Sequence, residues 1–448
     1  MTRSTSSTKK FKRLFLFFTL TLSMSLCFGL TSVVLVDSIA KPGALAYQDP
    51  TETQNVLAPS IEASPTPRLD PTQPPTATQT PLPGPTSTPT ETHTQPPTAT
   101  PVTEVFGPEN YPAGVNPLTG LEVSDPSRLE RRPIAVKITN YPRYVRPQSG
   151  LSFADIVYEY YLERGITRFI ALYYGNDAEK VGPIRSGRFF DEHIFTMYQA
   201  IFVFGNADKR VMEHFEELGR SVINRFVLEQ PEDTQQSCQP GSYVPLCRDR
   251  KIVSYNNMFT NTQALSEFIT QRGTDNSRQY LEGMLFSSQT PSNGATGTTI
   301  DLDYSRFIYN RWQYDQDNGT YLRFEETGDE RSGKKQEYAP LFDALTNQPI
   351  RAQNVVVLFV PHEYFVNTPT TEMVKIHLLG EGPAILFRDG FAYPAFWNRP
   401  EGQGALYLTS PDGERQAFKP GVTFFEVLGE SSSFHLAEDS WQFEFAIP

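Results

Sequence analysis

The chain has 448 residues and a mass of 50.6 kDa, with 38% hydrophobic and 12% aromatic residues, which is enough apolar material for real cores and excludes disorder throughout. Its 37 prolines are unevenly placed, so the foldable part is shorter than the length suggests. The formal net charge is −12, and about −17 without the basic first 46 residues, which argues against a general polyanion or nucleic-acid binder because such a ligand needs a positive field over its whole footprint.

Arg3, Lys9, Lys10, Lys12 and Arg13 precede an uncharged run from Leu14 to Val36, the charge order of a Sec-type export segment. That run is long enough to cross a bilayer, while Ser38-Ile39-Ala40 and Ala44-Leu45-Ala46 offer small-residue cleavage exits. Residues 1–46 therefore read equally well as a retained membrane anchor or a cleaved signal, and the expected location is extracytoplasmic, tethered or secreted. Cys27 argues poorly for lipidation, since Leu26 stands where a small residue is wanted. Residues 47–109 read as a stalk: from Pro59 to Pro101 the sequence is nearly all Pro, Thr, Ser, Gln and Ala, with almost nothing to bury.

The fold class expected for the remainder is α+β, an N-terminal α/β domain over 110–290 followed by a β-rich C-terminal domain over 298–448. Strands are predicted at Ile134 to Ile138, Ile156 to Tyr161, Arg168 to Tyr174 and Ala200 to Phe204, and helices at Phe189 to Tyr198, Lys209 to Leu218 and Thr262 to Arg272. Beyond the Gly/Ser/Thr-rich segment Ser287 to Thr298, helical periodicity almost vanishes. Strand runs there are punctuated by Asn318-Gly319, Asp389-Gly390 and Asp412-Gly413 turns. Cys238 and Cys247, the two cysteines outside the export segment, are predicted to pair, closing a loop worth roughly 2.7 kcal/mol on a chain-entropy account.

The segment Val181 to His193, VGPIRSGRFFDEH, carries Arg185, Ser186 and Arg188 on a Gly-Pro loop that runs into a helical pattern. A helix start with two guanidiniums beside it would form an anion pocket; the competing reading makes Ser186 a helix cap and pairs the arginines with Asp191 or Glu192. In the strand around Ile156, the acids Asp155 and Glu159 fall on one face, and Arg168 opens the next strand after a Gly165 turn. Asp155 and Glu159 lie about 13 Å apart along the strand, far for a hydrolytic acid pair, and the simpler role is to neutralise Arg168 or Arg185. Gly205 and Asn206 end a further strand and Asp208 can cap the helix after it, a position where open α/β sheets often hold ligands. His193, His214 and His362 lack metal-binding spacing, and no nucleotide or hydrolase motif is present.

The motifs NPLTGL from Asn116, RPQSGLSFADIVYE from Arg146, GITRF from Gly165 and KVGPIRS from Lys180 occur in that order. Together with VVVLFVPHEY, AILFRDGFAYPAFWNR and PDGE further on, they make the chain resemble the YerB-like family of bacterial envelope lipoproteins. The resemblance implies an exported, two-domain protein and carries no activity with it. Where such proteins tend to have a His-Ala-Gly-Gly turn, this chain has Phe204-Gly205-Asn206-Ala207, and it has a long apolar segment and a stalk where relatives use a lipid-modified cysteine.

The function expected is a binding or scaffolding module of the cell envelope. Its ligand is expected to be an anionic wall-derived fragment held by Arg185, Ser186 and Arg188, with Arg168, Asp155 and Glu159 in support. The rival is an extracytoplasmic hydrolase of glycan or phosphodiester bonds using Glu159 or Asp155 as acid or base. Expected partners are a cell-wall polymer or another envelope protein, and the membrane through the N-terminal segment; no metal, cofactor or nucleic acid is called for.

Overall fold

The computed structural model describes residues 105–448 except 219–225, 229–236, 240, 242, 253–254, 331–335, 400–403 and 438. The export segment and most of the stalk lie outside the described residues. The N-terminal half is mixed α/β and the C-terminal half mainly β, as expected. Four strands, β1 (Ile134–Thr139), β2 (Ile156–Glu163), β3 (Ile166–Tyr173) and β4 (Ile201–Phe204), carry three helices: α1 (Asp191–Met197), α2 (Lys209–Glu217) and α3 (Thr262–Gln271). Asp208 caps α2 by accepting from the Arg210 N–H, and Asn261 caps α3 through the Ala264 N–H.

β1 to β4 belong to a 12-stranded sheet that continues into the C-terminal half. β2 pairs antiparallel with β3 on one side and parallel with Thr423–Gly429 on the other; that strand in turn pairs parallel with Asn354–Val360. β1 pairs antiparallel with β3 and parallel with β4. Accordingly β1, β2, β4, Asn354–Val360 and Thr423–Gly429 all point the same way and share one carboxyl-terminal edge. A 7-stranded sheet built around Thr299–Asp303, Tyr309–Asp315 and Thr320–Glu326 covers one face of the large sheet.

β2 is buried on both faces, so it reads as a continuous aromatic and aliphatic run rather than an alternation. On the helix face, Tyr158 stacks on Phe425 with ring centres 4.6 Å apart, and Tyr160 packs on Phe190 at 4.4 Å. On the opposite face the smaller sheet supplies Trp312, 4.7 Å from Phe424. Between the two sheets lies an ionic core. Arg323, fully buried, donates to Glu159, Glu426 and Glu325, and Trp312 donates its indole N–H to Glu426 at 2.8 Å.

Cys238 and Cys247 are disulfide-bonded, with their α-carbons 5.0 Å apart. The bond staples a segment whose Leu246–Arg248 strand pairs with Met258–Thr260, beside the loop that carries Arg185.

Candidate functional site

The Val181 to Arg188 segment is wedged between the carboxyl-terminal ends of the parallel strands β1 and β4. The Thr139 N–H donates to the Pro183 carbonyl at 3.0 Å, Arg185 N–H to Lys137 O at 3.0 Å, Gly205 N–H to Arg185 O at 3.1 Å and Gly187 N–H to Asn206 O at 3.0 Å. The loop thus extends both strands past the sheet and delivers Ser186 and Arg188 to its edge, the position where open α/β sheets bind ligands. There they line a cavity of about 440 Å³, together with Glu163 and Arg164 from the end of β2, Asn206 and Asp208 after β4, and a stretch around Glu372.

The helix start expected to bind an anion is already occupied. The Asp191 carboxylate sits at the beginning of α1, accepts from the Arg188 N–H at 2.7 Å and takes the Lys137 ammonium at 2.9 Å. Tyr160 also donates to it. Ser186 is not the cap of α1; that position is Phe190, which offers no side-chain cap. Arg188 pairs with neither Asp191 nor Glu192 through its side chain but lies bidentate on Glu163, at 2.5 and 3.1 Å. Lys137 is buried under this arrangement, and its burial pulls the ammonium down to about 7 against the attraction of Asp191.

Two guanidiniums near the loop have no carboxylate within 4 Å among the described residues. Arg168, on β3 and buried, donates to the Ser186 carbonyl at 2.7 Å. Half-buried Arg185 lies over the Tyr255 ring at 4.7 Å and keeps a buried Nε without a hydrogen-bond partner. Burial, with Arg188 and Arg185 nearby, pulls Arg168 well below the usual guanidinium range. Since a guanidinium does not give up its proton in a protein, the penalty persists as a positive potential beneath Ser186 that the more distant Glu163 and Asp191 offset only in part.

Asp155 and Glu159 do not join this site. Glu159 projects from the opposite face of β2, toward Arg323, because Arg168 stands in register with Tyr160 and therefore shares that residue's face. Asp155 lies at the other edge of the sheet, in the wall of a separate cavity of about 320 Å³. It accepts from Tyr174 N–H at 2.5 Å, Gly175 N–H at 3.1 Å and the Asn116 amide at 2.9 Å, and neither acid is near Arg185. Ser186 and Arg188 thus line the cavity, Arg168 and Arg185 adjoin the same loop without lining it, Asn206 enters at the strand end the sequence had singled out, and Glu163 and Arg164 complete a wall to which the sequence had not assigned them. Of the histidines, His214 pairs with Glu192 at 2.5 Å and His362 is buried with Nδ1 2.8 Å from the Val360 carbonyl.

A mixed sheet joining an α/β half to a β half, with a polar cleft at the carboxyl-terminal edge, defines a two-part protein, and both parts match one family. Residues 118–275 match the N-terminal domain, and residues 300–425 the C-terminal domain, of the family described as protein of unknown function (DUF3048). The chain belongs to this family. It is similar to the putative lipoprotein YerB of Bacillus subtilis (strain 168), with 26% identity over 319 residues that cover 70% of this chain and 85% of the relative. The crystal structure of the YerB protein from Bacillus subtilis shares the fold, with a TM-score of 0.55 and 24% identity over 70% of this chain and 96% of the other.

Proposed function

We propose that this protein is an exported envelope protein, held to the membrane or released outside it, whose folded part binds an anionic wall-derived ligand in the cleft lined by Ser186 and Arg188. The observation that carries this reading is the pair of guanidiniums, Arg168 and Arg185, that lack a carboxylate partner within 4 Å among the described residues. Burying a cation such as Arg168 with no carboxylate in contact is costly, and an anion seated over Ser186 relieves part of that cost. The description of the relative YerB as a putative lipoprotein, the basic-then-apolar N-terminus and the Pro/Thr stalk support an envelope location. The hydrolase alternative is weakened because Glu159 is locked in the Arg323 network and Asp155 faces the other edge.

The test is co-sedimentation with purified peptidoglycan and, separately, with teichoic acid, each also assayed for released fragments. Binding without release is expected. Arg185→Gln combined with Arg188→Gln should lower that binding at least tenfold while Tm falls by no more than a few degrees. Cleavage of either polymer, or unchanged binding by the double variant, would reject the reading.

A further inference from the structure

The cavity at Ser186 and Arg188 has Arg164 in its wall. That side chain also lines a second depression, of about 390 Å³, whose wall includes Tyr161, Phe307, Tyr364 and Phe445. Arg164 stands at the tip of the β2–β3 turn with φ +50°, and the turn is fixed by Glu372, which accepts from the Arg164 N–H at 3.1 Å and from Tyr161 OH at 2.7 Å. One hairpin, His362–Asn367 paired with Glu372–Ile376, contributes to both depressions, Tyr364 to one and Glu372 to the other. The two depressions therefore adjoin across Arg164 along the sheet edge, the one at Arg188 polar and the one at Tyr364 aromatic.

The aromatic end is rigid below and open above. Phe445 stacks on Tyr161 with ring centres 4.6 Å apart, and Tyr364 is 40% exposed, leaving ring surface for a ligand. Flat aromatic surface beside hydroxyls and carboxylates suits a pyranose ring, which offers C–H groups on its faces and hydroxyls around its rim. Ser186, Asn206 and Thr371 at the polar end are hydroxyl-binding groups. The same wall holds Glu163, Asp208 and Glu372, so a chain of closely spaced phosphates would be repelled there, whereas a single acidic substituent needs only Arg164, whose Nη2 also donates to the Pro369 carbonyl, and a share of Arg188 with Glu163.

We infer that the two adjoining depressions take a carbohydrate chain with isolated carboxylate substituents, a sugar ring lying on Tyr364 and Phe445 and the carboxylate turned toward Arg164, Ser186 and Arg188. This rests on the anion reading of the Arg188 cavity and adds the class of molecule that bears the charge. Calorimetric titration of the purified full chain tests it with three probes: the disaccharide of N-acetylglucosamine and N-acetylmuramic acid, neutral chitotetraose, and glycerol phosphate oligomers. The acidic disaccharide should bind, chitotetraose at least tenfold more weakly, and the oligomers more weakly still. Tyr364→Ala, at an exposed position, should weaken the disaccharide about tenfold and abolish chitotetraose binding. A hexuronate disaccharide binding as well as the muramic one would assign the recognition to any ring-borne carboxylate and support the inference. Preference for glycerol phosphate, or disaccharide binding that ignores Tyr364→Ala but is lost in Arg188→Gln, overturns the glycan inference and leaves the anion reading standing. Failure of all three probes rejects both.

Discussion

Glu159 and Glu426 stand in register on adjacent parallel strands, and Arg323 lies between them in the interior. Burial, acting against the pull of Arg323, pushes the Glu159 carboxyl up to about 8. A carboxyl whose folded value exceeds its unfolded value favours the native state while it is protonated; that contribution is complete below about 4.5 and is lost as pH rises through about 8. Glu159→Gln keeps the neutral shape, so its Tm should match the parent near pH 4 and exceed it by a growing margin up to about pH 8 in thermal melts across that range. Arg323→Met, by contrast, removes the one cation that Glu159, Glu325 and Glu426 share and should cost about 3–5 kcal/mol at neutral pH, read from denaturant midpoints. The alternation of β2 already placed Asp155 and Glu159 on one face in the sequence. The same alternation, carried across the turn, would have set Arg168 on the other face. What no local pattern reveals is the partner of Glu159, which lies 164 residues away.

At the scale of elements, the two-residue turn between β2 and β3 positions the cleft. Arg164 and Gly165 both have positive φ, +50° and +80°, and a Cβ on Gly165 would lie 2.8 Å from the Ser305 hydroxyl oxygen. Gly165→Ala is expected to destabilise by about 1–3 kcal/mol, and because it shifts Arg164 it should also weaken ligand binding at temperatures where the protein remains folded. The disulfide is a different case: Cys238→Ser with Cys247→Ser should cost at most about 3 kcal/mol, local to the stapled segment, with the rest of the amide exchange pattern preserved. The first four strands, the three helices and the Asp-Gly and Asn-Gly turns were legible because period and turn chemistry agree there. The strand Phe391–Arg399 was not, because Pro394 sits inside it. It is tolerated because the strand's outer neighbours, Ala295–Thr296 and Tyr407–Thr409, pair only at residues 391–392 and 396–398 and leave Pro394 in the gap.

For the whole molecule, the two compositional halves share one sheet and one ionic core. β2 is flanked by Thr423–Gly429, and Glu159 is held by Arg323, so the N-terminal half on its own lacks a pairing strand and a counter-charge. Heating should therefore give a single calorimetric transition for both halves, and a fragment of residues 105–290 should show no cooperative melt unless residues 298–448 are supplied. The sequence separates the halves because helical periodicity stops near Ser287. It hides their union because a parallel pairing is made by residues far apart in the chain, with no turn between them to announce it.

The late position of that pairing strand bears on how the molecule is made. A polypeptide emerging amino end first must wait for about 260 further residues after β2 before Thr423–Gly429 arrives, and an unsatisfied strand flank is adhesive throughout that interval. Biogenesis thus ends with an insertion that seals the middle of the structure, and a product truncated before residue 423 leaves the flank of β2 unpaired and open to aggregation.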